Sequence, residues 1–304
     1  MKKDLILFIS ILLFLSISIV KIVAQVSVQQ SGDDWQLIVA GQPFDVKGVT
    51  FGYEKDLENY DRYFNDLQFL GVNTIRTWGT GKNTPALLDA AQTHGIKVMI
   101  GIWMRHGRPG MEDDDSFDYL NDQEGMNVMY DDAIRTVEQY KDHPAVLTWG
   151  VGNEVYLNTD TGEEKKAYSL FLEKVCSKIK ELDPNHPITS VEAWTFGMDW
   201  WSKYVPSIDF YGLNIYGGGA GLLADELNKR DINKPYVITE YGVTGEWDIQ
   251  EMKHGVKREP TDQEKYEAIT MGYAEWIKDE PSCLGVYFFH YNDGNDFISA
   301  WLNT

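Results

Sequence analysis

Positive charge is scarce in this sequence. It has 27 lysine and arginine residues against 47 aspartate and glutamate residues, which gives a formal net charge of −20. A surface of this charge repels nucleic acids and other polyanions. The balance therefore predicts no nucleic-acid partner and suits a neutral substrate, although it is equally compatible with a role in solubility alone.

Cysteine is also rare, with only Cys176 and Cys283 in 304 residues. Cys176 lies in an amphipathic helical pattern, and Cys283 stands just before an apolar run. A disulfide is one alternative in an exported protein, but the pattern favours two buried free thiols. Neither cysteine has a His or Cys neighbour at metal-ligand spacing, so we predict no metal site and no cofactor.

Long apolar runs are confined to the first 24 residues. A basic start at Lys2 and Lys3 is followed by an almost wholly apolar stretch, residues 5–20, and then by small residues before Gln25. This pattern predicts a signal peptide, residues 1–24, and hence a secreted or periplasmic protein with no stable membrane insertion after cleavage. A retained N-terminal anchor is the alternative, because the run is nearly long enough to span a bilayer.

Internal repeats and low-complexity segments are lacking, so residues 25–304 are predicted to form one large domain, which we expect to act as a monomer. Short apolar runs alternate there with amphipathic helical patterns. The eight apolar runs are residues 44–51, 72–78, 96–103, 145–151, 187–193, 208–215, 235–241 and 284–290. The helical patterns are residues 56–70, 84–95, 127–141, 163–182, 198–204, 221–230 and 261–278.

Eight strands that alternate with helices indicate an α/β protein with a (β/α)8 TIM barrel. A doubly wound open sheet is the alternative, but it usually has a glycine-rich phosphate turn after its first strand. The corresponding stretch here is "GVTFGYEKD", which is not such a turn. Residues 25–42, which precede the first strand, are predicted to form a β-hairpin at the barrel bottom.

Two apolar runs end on carboxylates. The stretch "TWGVGNEVY" contains Glu154 after the fourth predicted strand, and "KPYVITEYG" contains Glu240 at the end of the seventh. The carboxyl ends of the strands in such a barrel meet at one face, so both side chains should enter the same mouth. Two facing carboxylates are the groups that glycosidic bond cleavage requires, one as acid and one as nucleophile.

Polar residues at other strand ends extend this site. Arg76 ends the second strand, where a cation would keep Glu240 ionised and oriented, although it is also compatible with an ordinary ion pair. Asn153 is placed to bind the sugar hydroxyl next to the anomeric carbon. Tyr216 ends the sixth strand, with Asn214 on the same side of that strand.

Two further polar residues are candidates for binding substrate. Glu192 ends the fifth strand and is predicted to bind a sugar hydroxyl, with a surface carboxylate as the alternative. His290, at the end of the eighth strand, is within reach of the mouth. For Tyr216, mere packing is the alternative to a role in binding.

Tryptophans are frequent at the strand ends. The four that fall at or just after a strand end are Trp78, Trp103, Trp194 and Trp247. Sugar rings stack on indole faces, so we expect about two of the four to contact substrate, while the others pack. Trp149 lies in the middle of a strand and is predicted to be in the core.

Two loops carry ambiguous polar sequences. The stretch "MEDDDSFD", residues 111–118, is acidic enough for calcium but lacks the spacing of a known calcium loop, which favours a loop that flanks the substrate. The stretch "NDGND", residues 292–296, follows the eighth strand, and turn chemistry alone accounts for it.

The motifs "GNE" and "TEYG", at the ends of strands four and seven, resemble the acid/base and nucleophile motifs of the retaining clan A glycoside hydrolases. The resemblance extends over residues 44–290. It implies a general acid/base role for Glu154 and a nucleophilic role for Glu240. It also implies that Tyr216 lies against the nucleophile.

Three families within that clan share the resemblance. The stretches "VGNEV", "ITEYG" and "FYGLNIY" are similar to family 72 β-1,3-glucanosyltransferases. The stretch "GVNTIRTWG" is similar to family 5 β-mannanases and to the family 2 barrel of β-glucuronidases. This sequence departs from family 72 in lacking its disulfides. It departs from the clan at the eighth strand, where residues 287–291 are "YFFHY" and contain no tryptophan.

The sequence therefore predicts a retaining glycoside hydrolase that cleaves a neutral β-linked polysaccharide. A β-glucan, and within that class a β-1,3-linked one, is favoured by the three stretches that are similar to family 72. An endo-β-mannanase and a β-glucanosyltransferase are alternatives in the same clan. A carbohydrate-binding barrel without turnover is an alternative of another class, and the missing tryptophan at strand eight favours it.

Overall fold

A small antiparallel sheet precedes the barrel. In this computed structural model, which describes residues 25–108 and 116–292, the sheet contains β1 (Val26–Ser31), β2 (Asp34–Val39) and β3 (Gln42–Phe44). The predicted hairpin is confirmed, with β3 as an additional strand. The predicted signal peptide, most of the acidic loop 111–118 and the stretch after residue 292 lie outside the described residues.

The eight predicted apolar runs form a closed barrel of parallel strands, in the order β10-β11-β4-β5-β6-β7-β8-β9. The strands are β4 (Val46–Phe51), β5 (Thr74–Arg76), β6 (Lys97–Ile102), β7 (Val146–Asn153), β8 (Ile188–Ala193), β9 (Tyr211–Tyr216), β10 (Tyr236–Gly242) and β11 (Cys283–Tyr291). Closure confirms the (β/α)8 barrel and excludes the open sheet.

Helices connect the strands on the outside of the barrel. They are α1 (Tyr60–Phe69), α2 (Thr84–Thr93), α3 (Gln123–Tyr140), α4 (Gly162–Leu182), α5 (Met198–Tyr204), α6 (Leu223–Lys229) and α7 (Asp262–Gly272). The helix predicted from residue 127 begins earlier, because the side chain of Asp122 accepts a hydrogen bond from the backbone N–H of Gly125 and caps the helix at that point.

The antiparallel sheet closes the amino-terminal end of the barrel. Val26 and Leu37 are buried together with residues from the beginnings of barrel strands, including Val46, Leu147 and Leu284. Because this end is filled by an apolar core, the opposite end, where the strands have their carboxyl termini, is left for a binding site.

The remaining predictions about the core are confirmed, except that Cys283, which was expected to be buried, is half-buried. Trp149 is fully buried. Cys176 is buried in α4, and Cys283, which is half-buried, begins β11; both are free thiols, so the alternative of a disulfide was wrong.

Across residues 25–108 and 116–292, no helix has the length and apolar character that crossing a bilayer requires.

We expect the substitution Leu37→Ala to destabilise the whole protein, since the side chain is only 2% exposed between the sheet and the barrel. Truncation of a buried leucine costs about 2–5 kcal/mol of unfolding free energy. Urea unfolding measures the loss, and Val256→Ala, at a side chain that is 60% exposed, is the control. Equal stability of the two variants would show that the small sheet is not part of the cooperative core.

Candidate active site

A pocket of about 1070 Å³ opens at the carboxyl ends of the barrel strands. This volume is at the upper end of the range for small-molecule sites. Aromatic side chains form much of its wall, namely Trp78, Trp103, Trp194, Phe196, Tyr216, Trp247 and Phe289. Polar groups on the wall include Asn153, Glu154, Asn214, Glu240 and Asp248.

The backbone bends sharply where β7 ends. Gly152 has φ +76°, and a Cβ atom there would lie 2.5 Å from the hydroxyl oxygen of Tyr168, so only glycine fits. Glu154 follows with φ +54°, a left-handed conformation that is uncommon for a residue with a side chain. This bend explains why a buried strand ends on a polar pair: it places Asn153 and Glu154 on the pocket wall.

Glu240, on β10, is buried, and both of its carboxylate oxygens accept hydrogen bonds. Arg76 Nη1 lies 2.8 Å from Oε1 and forms a buried ion pair with it. Trp78 Nε1 donates to the same oxygen at 3.2 Å, and the Tyr216 hydroxyl donates to Oε2 at 2.8 Å. Three donors from two other strand ends therefore fix the position of this carboxylate.

A continuous chain of hydrogen bonds joins Glu240 to Glu154. Arg76 Nη2 donates to Asn153 Oδ1 at 2.7 Å, and Asn214 Nδ2 donates to the same oxygen at 3.1 Å. Asn214 Nδ2 also donates to Glu154 Oε1 at 2.8 Å. The structure thus brings together five of the predicted site residues in one network, in which these buried polar atoms are hydrogen-bonded.

Tyr216 remains a hydrogen-bond donor over the physiological pH range. Burial raises the pKa of its hydroxyl well above the ordinary value, and the negative charge of Glu240 acts in the same direction. The phenol therefore keeps its proton and donates a hydrogen bond to the Glu240 carboxylate, as the distance indicates.

All four predicted tryptophans lie on the pocket wall. Trp247 is 51% exposed at the rim, and its ring meets the Tyr216 ring edge-on, with 5.3 Å between centroids. Phe196 and Phe289 also line the pocket but were not predicted as site residues. The aromatic sequence of residues 287–291 and the position of Phe196, two residues after Trp194, were the signals that pointed to them.

Three predicted contacts with substrate need correction. Glu192 is fully buried, and its carboxylate accepts hydrogen bonds from backbone amides instead of facing the pocket. Arg76 is only 2% exposed and lies behind Glu240 and Asn153, so a direct contact with substrate is wrong, but its predicted place beside Glu240, which it orients, is confirmed. His290 is not part of the described pocket wall; its ring stacks on Phe289, with 4.3 Å between centroids.

Within residues 25–108 and 116–292, no three His, Cys, Asp or Glu side chains are grouped in a way that would hold a metal ion. The calcium alternative for the acidic loop concerns residues that fall mainly outside these ranges.

Comparison with known proteins places these features in a family. The model of the glycosyl hydrolases family 2 TIM barrel domain matches residues 36–280. A β-glucuronidase of Chlorocebus aethiops is 27% identical over 229 residues, which cover 68% of this chain and 32% of that protein. A mannan endo-1,4-β-mannosidase F of Aspergillus clavatus is 26% identical over 255 residues, which cover 60% of this chain and 56% of that protein.

Solved structures share the fold at low sequence identity. An endo-1,4-β-mannanase from Rhizomucor miehei superposes with a TM-score of 0.64 at 16% identity, and the match covers 91% of this chain and 97% of that one. A Bacteroides uniformis β-glucuronidase superposes with a TM-score of 0.63 at 17% identity, over 88% of this chain and 32% of that one. The matched part of this chain therefore covers about a third of the length of these two β-glucuronidases.

Stability should depend on pH through Glu192. Burial raises the pKa of this carboxyl from 4.5 to about 8, with a further upward contribution from Glu154, against the effect of its backbone N–H donors. The folded state therefore holds a proton that the unfolded state has lost, and the stability contribution of this group falls as pH rises between about 4.5 and 8.

The substitution Glu192→Gln removes this titration. We expect the unfolding free energy of the variant, relative to that of the wild type, to improve between pH 5 and pH 8. Urea unfolding at both pH values measures the change, and the other titrating groups are common to both proteins. Parallel pH profiles would show that Glu192 does not titrate in this window.

Proposed function

This chain belongs to family 2 of the glycosyl hydrolases, through the TIM barrel domain of that family, and we propose that it is a retaining glycoside hydrolase that cleaves a neutral β-linked polysaccharide. The observation that carries the proposal is the pair Glu154 and Glu240. These carboxylates lie at the ends of β7 and β10, line one aromatic pocket and are joined by a buried hydrogen-bond network.

In the first step, the Glu240 carboxylate attacks the anomeric carbon while protonated Glu154 donates its proton to the departing glycosidic oxygen. The bond from the anomeric carbon to that oxygen breaks, and a covalent bond to Glu240 forms. Arg76, Trp78 and Tyr216 serve this step by holding the nucleophile in the orientation for attack.

In the second step, the ionised Glu154 takes a proton from water as the water oxygen attacks the anomeric carbon. The bond to Glu240 breaks, its carboxylate is restored, and the configuration is retained after two inversions. The same donors stabilise the negative charge that returns to Glu240. A sugar hydroxyl in place of water would give a transglycosylase with the same residues.

Asn153 is assigned to the sugar hydroxyl next to the anomeric carbon. Its Oδ1 atom accepts from Arg76 and from Asn214, which fixes the orientation of the amide and leaves the Nδ2 group as the donor available to substrate. Hydrogen bonds to this hydroxyl strengthen in the transition state, so a fixed donor contributes to the rate as well as to binding.

The charges around the pocket favour an uncharged sugar. The described wall contains three acidic residues, Glu154, Glu240 and Asp248, and no lysine or arginine. The nearest cation of the network, Arg76, is already bonded to Glu240 and Asn153. A uronic acid would bring a carboxylate into this negative pocket, whose described wall offers no lysine or arginine to receive it, whereas neutral sugar rings would stack on the indoles.

β-Glucan and β-mannan are the two substrate candidates. The family 72 motifs favour β-glucan, including a β-1,3-linked one. The relatives named as mannan-cleaving enzymes favour β-mannan. We also propose that residues 1–24 direct export, which suits an enzyme whose polymeric substrate lies outside the cell. A carbohydrate-binding barrel without turnover is the rival class.

A panel of polymers tests the substrate. We expect residues 25–304 to release reducing ends from β-1,3-, β-1,4- or mixed-linkage glucan or from mannan, and not from xylan. Aryl β-glucuronides should be turned over at least about 100-fold less efficiently than the matching neutral glycosides, because an unpaired carboxylate costs several kcal/mol. Preference for the glucuronide would contradict the assignment to neutral sugars. Binding of a polymer without release would favour the binding barrel.

Variants of the two carboxylates test the mechanism. Glu240→Ala should abolish turnover, and azide should restore it with inversion of configuration by attacking in place of the missing carboxylate. Glu154→Ala should retain the first step on substrates with good leaving groups and slow the second step. Burst kinetics and product NMR measure these effects, with Glu163→Ala, at an exposed residue, as control. Wild-type rates in both active-site variants would overturn the assignment.

A further inference from the structure

The backbone of Glu154 is anchored to the neighbouring strand β8. Its N–H group donates to the carbonyl oxygen of Val191 at 3.0 Å. The next residue on β8, Glu192, accepts the N–H groups of Tyr156 at 2.7 Å and of Leu157 at 3.3 Å. Two consecutive residues of β8 therefore hold three of the four backbone amides from Glu154 to Leu157.

This anchoring matters because the conformation of Glu154 is unfavourable on its own. A left-handed backbone costs an L-residue about 1–2 kcal/mol, and it persists only where the surroundings impose it. Asn158 contributes from the other side, since its Nδ2 group donates to the Glu154 carbonyl oxygen at 3.0 Å. The backbone amides of the turn are thus bound by β8, and the carbonyl oxygen of Glu154 is bound by the side chain of Asn158.

The position of Glu192 is itself costly. The side chain is 0% exposed, and among the residues that the structure describes, no lysine, arginine or histidine is one of its hydrogen-bond partners. A buried carboxyl group without a cation is expensive unless its oxygens are satisfied by hydrogen bonds. Here the donors are the amides of the turn that carries Glu154, together with the amide of Ala193. The hydrogen bonds that offset the cost of burying Glu192 are therefore the same bonds that order this turn.

We propose that Glu192 is the positioning residue of the acid/base: by binding the amides of Tyr156 and Leu157, it holds the turn that aims the Glu154 carboxyl at the leaving oxygen. The role rests on the proposed function, in which Glu154 is the proton donor. Glu192 does not touch substrate, and it acts only through the backbone. The alternative is that Glu192 supports the fold in general.

The leaving group separates these two roles. A displaced proton donor slows the first step only when the leaving oxygen needs a proton, whereas a loosened pocket slows every substrate. The quantity to compare is kcat/KM, which reports the first step, for the polymer or an oligosaccharide and for the 2,4-dinitrophenyl glycoside of the same sugar, whose leaving group departs without acid help.

The test variant is Glu192→Leu, which keeps a similar buried volume but has no oxygen to accept the backbone N–H groups of Tyr156 and Leu157. Tyr156→Phe is the matched control in the same turn. It loses the hydroxyl bond to Ser169, at 2.9 Å, but keeps the backbone N–H that Glu192 binds. Thermal unfolding of each variant gives its stability. If Glu192→Leu does not fold, Glu192→Asp takes its place, since its carboxyl group is one carbon further from the two amides.

We expect Glu192→Leu to lower kcat/KM at least about 10-fold on the polymer and less than about threefold on the dinitrophenyl glycoside, since a shift of about 1 Å in a catalytic group costs up to about 100-fold. Tyr156→Phe should stay within about threefold of wild type on both substrates. Equal losses of kcat/KM on both substrates, or no loss on either, would overturn the positioning role of Glu192. The proposed function would still stand in that case, provided that the wild-type protein turns the substrates over. A wild-type protein inactive on both substrates would overturn the proposed function and this role together.

Discussion

A single buried guanidinium group connects the two sides of the site. Arg76 donates from one nitrogen to the Glu240 carboxylate and from the other to the Asn153 amide oxygen, so the ends of β5, β7 and β10 are held in one geometry. The planar, forked shape of arginine makes these simultaneous bonds possible, and lysine does not reproduce them. Because the pair is buried, removing the guanidinium would leave a carboxylate without its cation in the same pocket, at a cost greater than the lost bonds alone.

The barrel determines both where the strand-end side chains lie and which way they point. Parallel strands bring their carboxyl ends to one rim, and small irregularities at those ends turn individual side chains inward or backward. At β7 the glycine bend exposes Asn153 and Glu154 to the pocket. At β8 the left-handed residue is Trp194, with φ +50°, which follows the strand, so Glu192 lies within the strand behind the pocket wall and is bonded to amides. Two strand-end glutamates therefore have different environments.

Much of the fold and the centre of the site could be predicted from the sequence, for identifiable reasons. Apolar runs of strand length and amphipathic helical patterns are local signals, and the structure has strands and helices at those places. The placement of Glu154 and Glu240 in one mouth followed from the barrel alone. The environment of Glu192 could not be predicted in this way, because its partners Tyr156 and Leu157 lie 36 and 35 residues earlier in the chain. Whether a polar side chain at a strand end faces solvent or a neighbouring turn is decided by such long-range contacts.

The aromatic wall gives the pocket an optical property. Four of the ten tryptophans, Trp78, Trp103, Trp194 and Trp247, line this one cavity, and Trp247 stands half in solvent at its rim. Indole emission depends on contact with water, so a sugar chain that displaces water from these rings changes the environment of a large share of the protein's fluorophores at once. Occupancy of the site is thereby coupled to the intrinsic fluorescence of the chain, and the molecule carries its own reporter of ligand binding without any added label.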